Sequence, residues 1–167
     1  MQLGRAGVGL AALSFSYSLS MGAAYAGERT LEFQLLVKYF DARTLNAPHI
    51  EDQTITQSKG FGVAVLKDGR IGTADFIFDV DKHQDAGTGS GYGAYTFDDG
   101  TITERFTLGF SGQDARVEYK ILSGTGAYAG ATGSGTLESL PNPYTSDRFY
   151  KGMLHVVTPG EKTAEDR

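Results

Sequence analysis

Residues 121–137 read ILSGTGAYAGATGSGTL, and they are the most informative part of the sequence. It has glycine at positions 124, 126, 130, 133 and 135, between two segments in which apolar and polar residues alternate. Glycine adopts the positive φ angles that tight connections need, and alternation with period two is typical of a half-buried strand. The stretch therefore predicts two consecutive strands joined by a short connection built from glycine.

The same alternation continues through most of the chain from Arg29 onward, and no segment has a convincing helical period. Asp68–Gly69 and Asp99–Gly100 are typical of hairpin turns. The pattern predicts an all-β domain, either an up-and-down barrel or a sandwich. The eight predicted strands are residues 29–40, 60–67, 70–81, 90–97, 101–109, 114–123, 133–139 and 147–157.

Two polar stretches separate these strands. Residues 41–59 are long for a hairpin connection, and we expect them to fold over a barrel mouth. Residues 81–91 are polar and rich in glycine, and we expect them to flank the same region.

Composition excludes several classes of function. The chain has 167 residues, no cysteine and a formal net charge of −5 at pH 7. Without cysteine there are no disulfides, iron–sulfur clusters, thiolate zinc sites or thiol nucleophiles. The acidic residues are spread evenly, which argues against a surface that follows nucleic-acid phosphates. We therefore expect no nucleic-acid partner.

Residues 1–26 have the layout of a secretory signal peptide, with Arg5, an apolar stretch and an Ala24-Tyr25-Ala26 cleavage site. Serines interrupt the apolar stretch, which makes it a poor membrane span. We expect one domain over residues 27–158, a flexible charged tail over 159–167, no membrane span in the mature protein, and a secreted or periplasmic location.

The intact mass of the exported protein should match a chain that begins at Gly27, and a species beginning at Met1 would contradict this.

Strand parity predicts the lining of the barrel. The inward row of the first strand ends in a phenol and a carboxylate: Leu31, Phe33, Leu35, Val37, Tyr39 and Asp41. Phe76 and Phe78 face inward from the third strand, and Glu104 shares the inward face of the fifth with Phe106. In the last strand, parity leaves open whether Met153 or Tyr150 faces inward.

An apolar aromatic pocket with few polar groups is the usual make-up of a small-molecule site. Burial in it would raise the pKa of Glu104, which would then serve as a general acid or base. The alternative is that Glu104 lies at a strand end and pairs with an Arg or Lys. The predicted catalytic residues are Glu104, Asp41, Tyr39 and Tyr119, and the predicted substrate-binding residues are Phe33, Phe76, Phe78, Tyr95, Phe106 and Met153.

No motif indicates a metal or a cofactor. His49, His83 and His155 lack the spacing of metal ligands. The glycines at 87, 89, 91 and 93 precede no helical pattern, so we interpret them as residues of turns and bends and not as a nucleotide-binding loop. We therefore expect no metal and no cofactor.

The pattern Gly124-x-Gly126-x-Tyr128-x-Gly130-Ala131-x-Gly133 resembles the signature of the superfamily of allene oxide cyclases, dirigent proteins and bacterial allene oxide cyclase barrel-like proteins. Residues 93–97 with 100–103, and residues 148–152, resemble other strands of that family. The resemblance implies an eight-stranded antiparallel up-and-down β-barrel with an apolar central cavity, commonly a homotrimer, that acts without a cofactor.

The family's site residues transfer only in part. Glu32 and Gln34 resemble a Glu and Asn pair of the plant cyclases, whereas Asp41 resembles the aspartate that ends the first strand of dirigent proteins. The two alignments need opposite parity, which only a β-bulge would reconcile, and we favour Asp41. Dirigent proteins carry an arginine shortly after the glycine pattern, and the corresponding residue here is Thr132. The resemblance therefore does not extend to the residue linked to guidance of radical coupling.

Together these features predict a cofactor-independent isomerase, cyclase or lyase that acts on a small hydrophobic or aromatic compound, similar to an oxylipin or a phenylpropanoid. The alternative is a non-catalytic exported barrel that binds a hydrophobic ligand or guides its coupling.

Overall fold

Eight antiparallel strands close into a barrel in chain order, in a computed structural model that describes residues 27–141 and 148–159. The strands are β1 (Gly27–Asn46), β2 (Gln53–Leu66), β3 (Ile71–His83), β4 (Ala86–Phe97), β5 (Gly100–Ser111), β6 (Asp114–Gly124), β7 (Thr132–Leu140) and β8 (Arg148–Thr158). Strand β8 pairs with β1 and completes the barrel, so the predicted fold class is confirmed. The predicted leader, and the predicted tail beyond Pro159, lie outside the described residues.

The two expected mouth loops are mostly strand, so those predictions were wrong. Strand β1 runs on to Asn46 and pairs with β2 up to Thr54. Residues 81–83 and 86–91 likewise pair across a short turn between β3 and β4. Residues 54–56 include β-branched side chains, which favour a strand over a loop at this position.

The inward rows form one core. In β1 the inward side chains from Leu31 to Val37 are buried, which confirms the predicted parity of that strand. In β8 the buried apolar side chains are Tyr150, Leu154 and Val156. Met153 therefore faces outward and is 45% exposed, so its predicted place in the cavity was wrong.

The glycine-rich connection closes one end of the barrel. Residues 126–128 form a turn of 3₁₀ helix that begins at Gly126, whose φ is +59°, and that buries the Tyr128 side chain completely. The Arg70 guanidinium donates hydrogen bonds to Asp99 (2.9 Å) and to the Tyr128 hydroxyl (3.3 Å). This end is therefore plugged, and any opening lies at the opposite end.

Gly133, at the start of β7, should not tolerate a side chain. Its φ is +139°, and a Cβ there would collide with the His155 carbonyl oxygen of the neighbouring strand. Gly133→Ala should lower the free energy of unfolding by about 2 to 3 kcal/mol, the scale of a strained backbone.

The matched control is Gly109→Ala in β5, where a Cβ would meet no atom within 4 Å and no positive φ is required. That change should stay within about 1 kcal/mol. Urea unfolding of both variants measures the difference, and equal losses would contradict the packing described for the connection.

Candidate functional site

An apolar cavity of about 230 Å³ opens at the end of the barrel opposite Tyr128. The turn between β5 and β6 lies at its rim, with Gly112 and Gln113. Its wall is made by inward side chains of seven strands, among them Leu35, Phe76, Phe78, Phe106, Val117, Leu137 and Tyr150. An open, largely apolar cavity of this kind suits a small molecule.

Strand β4 contributes no side chain to the wall because its inward row there is glycine. A Cβ at Gly91 would lie 2.6 Å from Phe78 Cβ and 2.8 Å from Phe106 Cζ. The glycines leave room for these rings, and Phe106 lies with its centroid 6.0 Å from Phe76 and 6.2 Å from Phe78. The alternating glycines of β4 thus shape an aromatic wall, and their interpretation as turn and bend residues was wrong.

Two phenols and a cation lie at the mouth. The hydroxyls of Tyr39 and Tyr150 are 2.7 Å apart, and the Arg148 side chain lines the cavity beside them. Burial raises the pKa of Tyr150, while its hydrogen bond with Tyr39 and the charge of Arg148 lower it to a smaller extent. For Tyr39, burial and the neighbouring Tyr150 phenol raise the pKa above its ordinary value. Both phenols are neutral near pH 7.

A second phenol pair lies deeper. Tyr119 lines the cavity, and its hydroxyl is 3.1 Å from that of Tyr95, which is completely buried. Burial raises the pKa of both phenols well above the ordinary value of 10.0. These two groups can donate and accept hydrogen bonds but do not ionise near neutral pH.

Glu104 faces inward, as alternation predicts, and its side chain is 0% exposed. Neither carboxyl oxygen has a hydrogen-bond partner among the residues the structure describes, so the ion-pair alternative was wrong. Burial raises the pKa of this carboxyl well above 4.5. On the inward row of β5, Glu104 is the next residue after Phe106 toward the plugged end, and it pairs across the sheet with Gly93. It is not part of the cavity wall.

Asp41 lies outside the cavity, so its predicted place inside was wrong. The register of β1 against β2 shifts between Phe40 and Arg43, and the φ of Asp41 is +53°. This irregularity turns the side chain outward, where it is 64% exposed and accepts a hydrogen bond from Lys59 Nζ at 3.0 Å. Glu32 is also outward and pairs with Lys67.

Apart from the outward-facing Met153, the predicted substrate-binding residues separate into two layers. Phe76, Phe78 and Phe106 lie together in the cavity wall. Phe33 and Tyr95, with ring centroids 5.2 Å apart, are buried outside that wall. The sequence prediction missed Tyr150 and Arg148, which the parity of β8 would have placed in the cavity had its buried row been identified.

Within residues 27–141 and 148–159, no group of three or more His, Cys, Asp or Glu side chains is placed to hold a metal ion. No helix in this part of the chain is long and apolar enough to cross a membrane.

No protein-family model matches the chain, and no curated protein is significantly similar to it in sequence. Its structure is similar to that of the pterocarpan synthase dirigent protein GePTS1, with a TM-score of 0.51 and 13% sequence identity. The similarity covers 88% of this chain and 97% of that chain. At 13% identity this structural similarity shows a shared fold alone, so the predicted resemblance to the dirigent barrel is confirmed for the fold.

Proposed function

We propose that this barrel binds a small aromatic or otherwise apolar compound and promotes its cyclisation or isomerisation without a cofactor. The observation that carries the proposal is the cavity, which joins aromatic walls to the hydroxyls of Tyr39, Tyr119 and Tyr150. An apolar cavity of about 150 Å³ takes up benzene, so about 230 Å³ with an open mouth suits a ligand of one or two rings. The name of GePTS1, a pterocarpan synthase, supports a substrate related to phenylpropanoids.

The phenols supply the chemistry that this cavity supports best. In the pair formed by Tyr39 and Tyr150 one hydroxyl donates to the other, which leaves one O–H free to donate to a ligand oxygen. Such a donor stabilises negative charge that develops on the oxygen, and the aromatic walls hold the ring system in a reactive conformer. Because burial keeps the phenols neutral, they act as donors and not as bases.

A second candidate is a barrel that binds a ligand without reaction. It is favoured by one observation: in the part of the chain that the structure describes, no carboxylate lines the cavity. Proton abstraction from a ligand by Glu104 or Asp41 therefore has no direct contact to support it.

Binding and turnover panels of oxylipins and phenylpropanoids, with Tyr150→Phe beside the wild type, test the two candidates. For the enzyme, Tyr150→Phe should lower kcat/KM by about 10²-fold per folded molecule, since it removes a positioned donor to the ligand oxygen. Binding without turnover across both panels would favour the second candidate. Absence of binding would contradict both.

We also propose that the protein is a homotrimer. The family it resembles commonly forms trimers, and an apolar face on the outside of β1 to β4 supports the proposal, with Leu36 beside Val63 and Ile77 beside Tyr92. Contiguous exposed apolar surface marks interaction sites.

Light scattering should give three times the monomer mass for the wild type. Ile77→Lys should reduce the measured mass, whereas Lys120→Glu on the outside of β6 should not. A wild-type monomer at micromolar concentration would contradict the proposal.

A further inference from the structure

We propose that the ligand carries an anionic group, a carboxylate or a phenolate, which binds Arg148 and the hydroxyls of Tyr39 and Tyr150 at the mouth while its apolar body fills the cavity. This inference rests on the proposed function and adds the charge of the ligand and the end at which that charge lies.

Arg148 is the one charged side chain in the cavity wall, among the residues that the structure describes. It lies at the first position of β8, opposite Val37 of β1 and two residues before Tyr150 on the same inward row. No described carboxylate forms an ion pair with it, whereas Arg70 at the plugged end is held by Asp68 and Asp99. A cation at the mouth of an apolar cavity is therefore available to a ligand.

The tyrosine pair places a donor at the same position. With the two hydroxyl oxygens 2.7 Å apart, one proton is shared within the pair and the other is free to donate outward. The charge of Arg148 opposes part of the rise in pKa that burial causes at both phenols, so its field reaches both hydroxyls. A planar guanidinium and a neighbouring O–H match the oxygens of a carboxylate or a phenolate.

The loss of water from the cavity wall on binding also favours an anionic ligand. A ligand that fills the cavity removes water from its wall, including the part formed by Arg148 and Tyr150. A neutral ligand supplies no counter-charge to the exposed Arg148 guanidinium, and a cationic ligand adds repulsion. An anion compensates the desolvation with charge-assisted hydrogen bonds.

The test compares cinnamate with cinnamide, which have the same shape and differ in charge, by calorimetry at pH 7. Wild-type protein should bind cinnamate about tenfold more tightly, the lower end for hydrogen bonds to a charged group, and the preference should shrink at high salt. Arg148→Gln should abolish the preference and leave the cinnamide affinity within about twofold, and Arg148→Lys should retain part of the preference.

The matched control is Arg105→Gln on the outer face of β5, which should keep the full preference. Equal binding of both probes by the wild type, or an unchanged preference in Arg148→Gln, would overturn the inference while leaving the proposed function intact. If neither probe binds the wild type, the proposed function fails and this inference fails with it.

Discussion

Above about pH 5, the wild-type protein should lose free energy of unfolding relative to the Glu104→Gln variant, by about 1.4 kcal/mol per pH unit. Burial raises the pKa of Glu104 in the folded state above the value near 4.5 that the unfolded chain has. Between these two values the folded state holds a proton that the unfolded state has released. The stability that protonated Glu104 contributes is therefore fully present below the unfolded pKa, and it falls as the pH rises toward the folded pKa.

Urea titrations at four pH values between 5 and 8 measure this difference, which should widen as the pH rises. Glu118→Gln, on the outward face of β6, is the matched control and should follow the wild type. Parallel curves for the wild type and Glu104→Gln would show that the carboxyl is not held protonated in the barrel.

The same variant tests the predicted catalytic role of Glu104. A positioned proton donor that is removed lowers turnover by about 10²- to 10⁴-fold. Because Glu104 lies outside the cavity wall, we expect a change of less than about tenfold per folded molecule. A loss within the larger range would restore Glu104 as the proton-transfer group.

Ala115→Trp should abolish ligand binding, with a loss of at least about 100-fold in affinity, or about 2.7 kcal/mol. Ala115 lies in the wall near the rim, on the inward row of β6 with Val117. An indole at this position projects into the cavity and occupies the volume that the ligand needs. The Ala115 amide, which donates to Ser139 Oγ at 2.8 Å, is kept in the variant, so the strand should retain its pairing.

Arg116→Trp is the matched control, because it places the same ring on the same strand but on the exposed face. Its affinity should equal that of the wild type, as measured by calorimetry with cinnamate. If Ala115→Trp binds cinnamate as tightly as Arg116→Trp does, the ligand site is not in the cavity.

The fold was predictable because most strands alternate and the glycine pattern at 124–133 has a distinctive spacing. Parity alone also placed Glu104 and Tyr119 inside, since each lies between apolar residues at two-residue spacing. Parity gave the wrong side for Asp41, because an irregularity in β1 interrupts the period there and no residue type in the sequence indicates it.

The mouth of the cavity was harder to predict than its walls. Strand β8 has apolar or long side chains on both faces, so only its pairing with β1 and β7 shows that Tyr150 is inward and Met153 outward. The glycines of β4 were also ambiguous, because their purpose depends on rings supplied by β3 and β5. Contacts between strands distant in sequence decide both features, and a local pattern does not contain them.

Ligand binding inside the barrel is tested by a crystal structure of the wild-type protein soaked with cinnamate at a concentration that calorimetry shows to be saturating. We expect density for one ring among Phe76, Phe106 and Tyr119, with the carboxylate at the mouth beside Arg148. Density only on the outer apolar face around Leu36 and Ile77, with the cavity free of ligand, would contradict it.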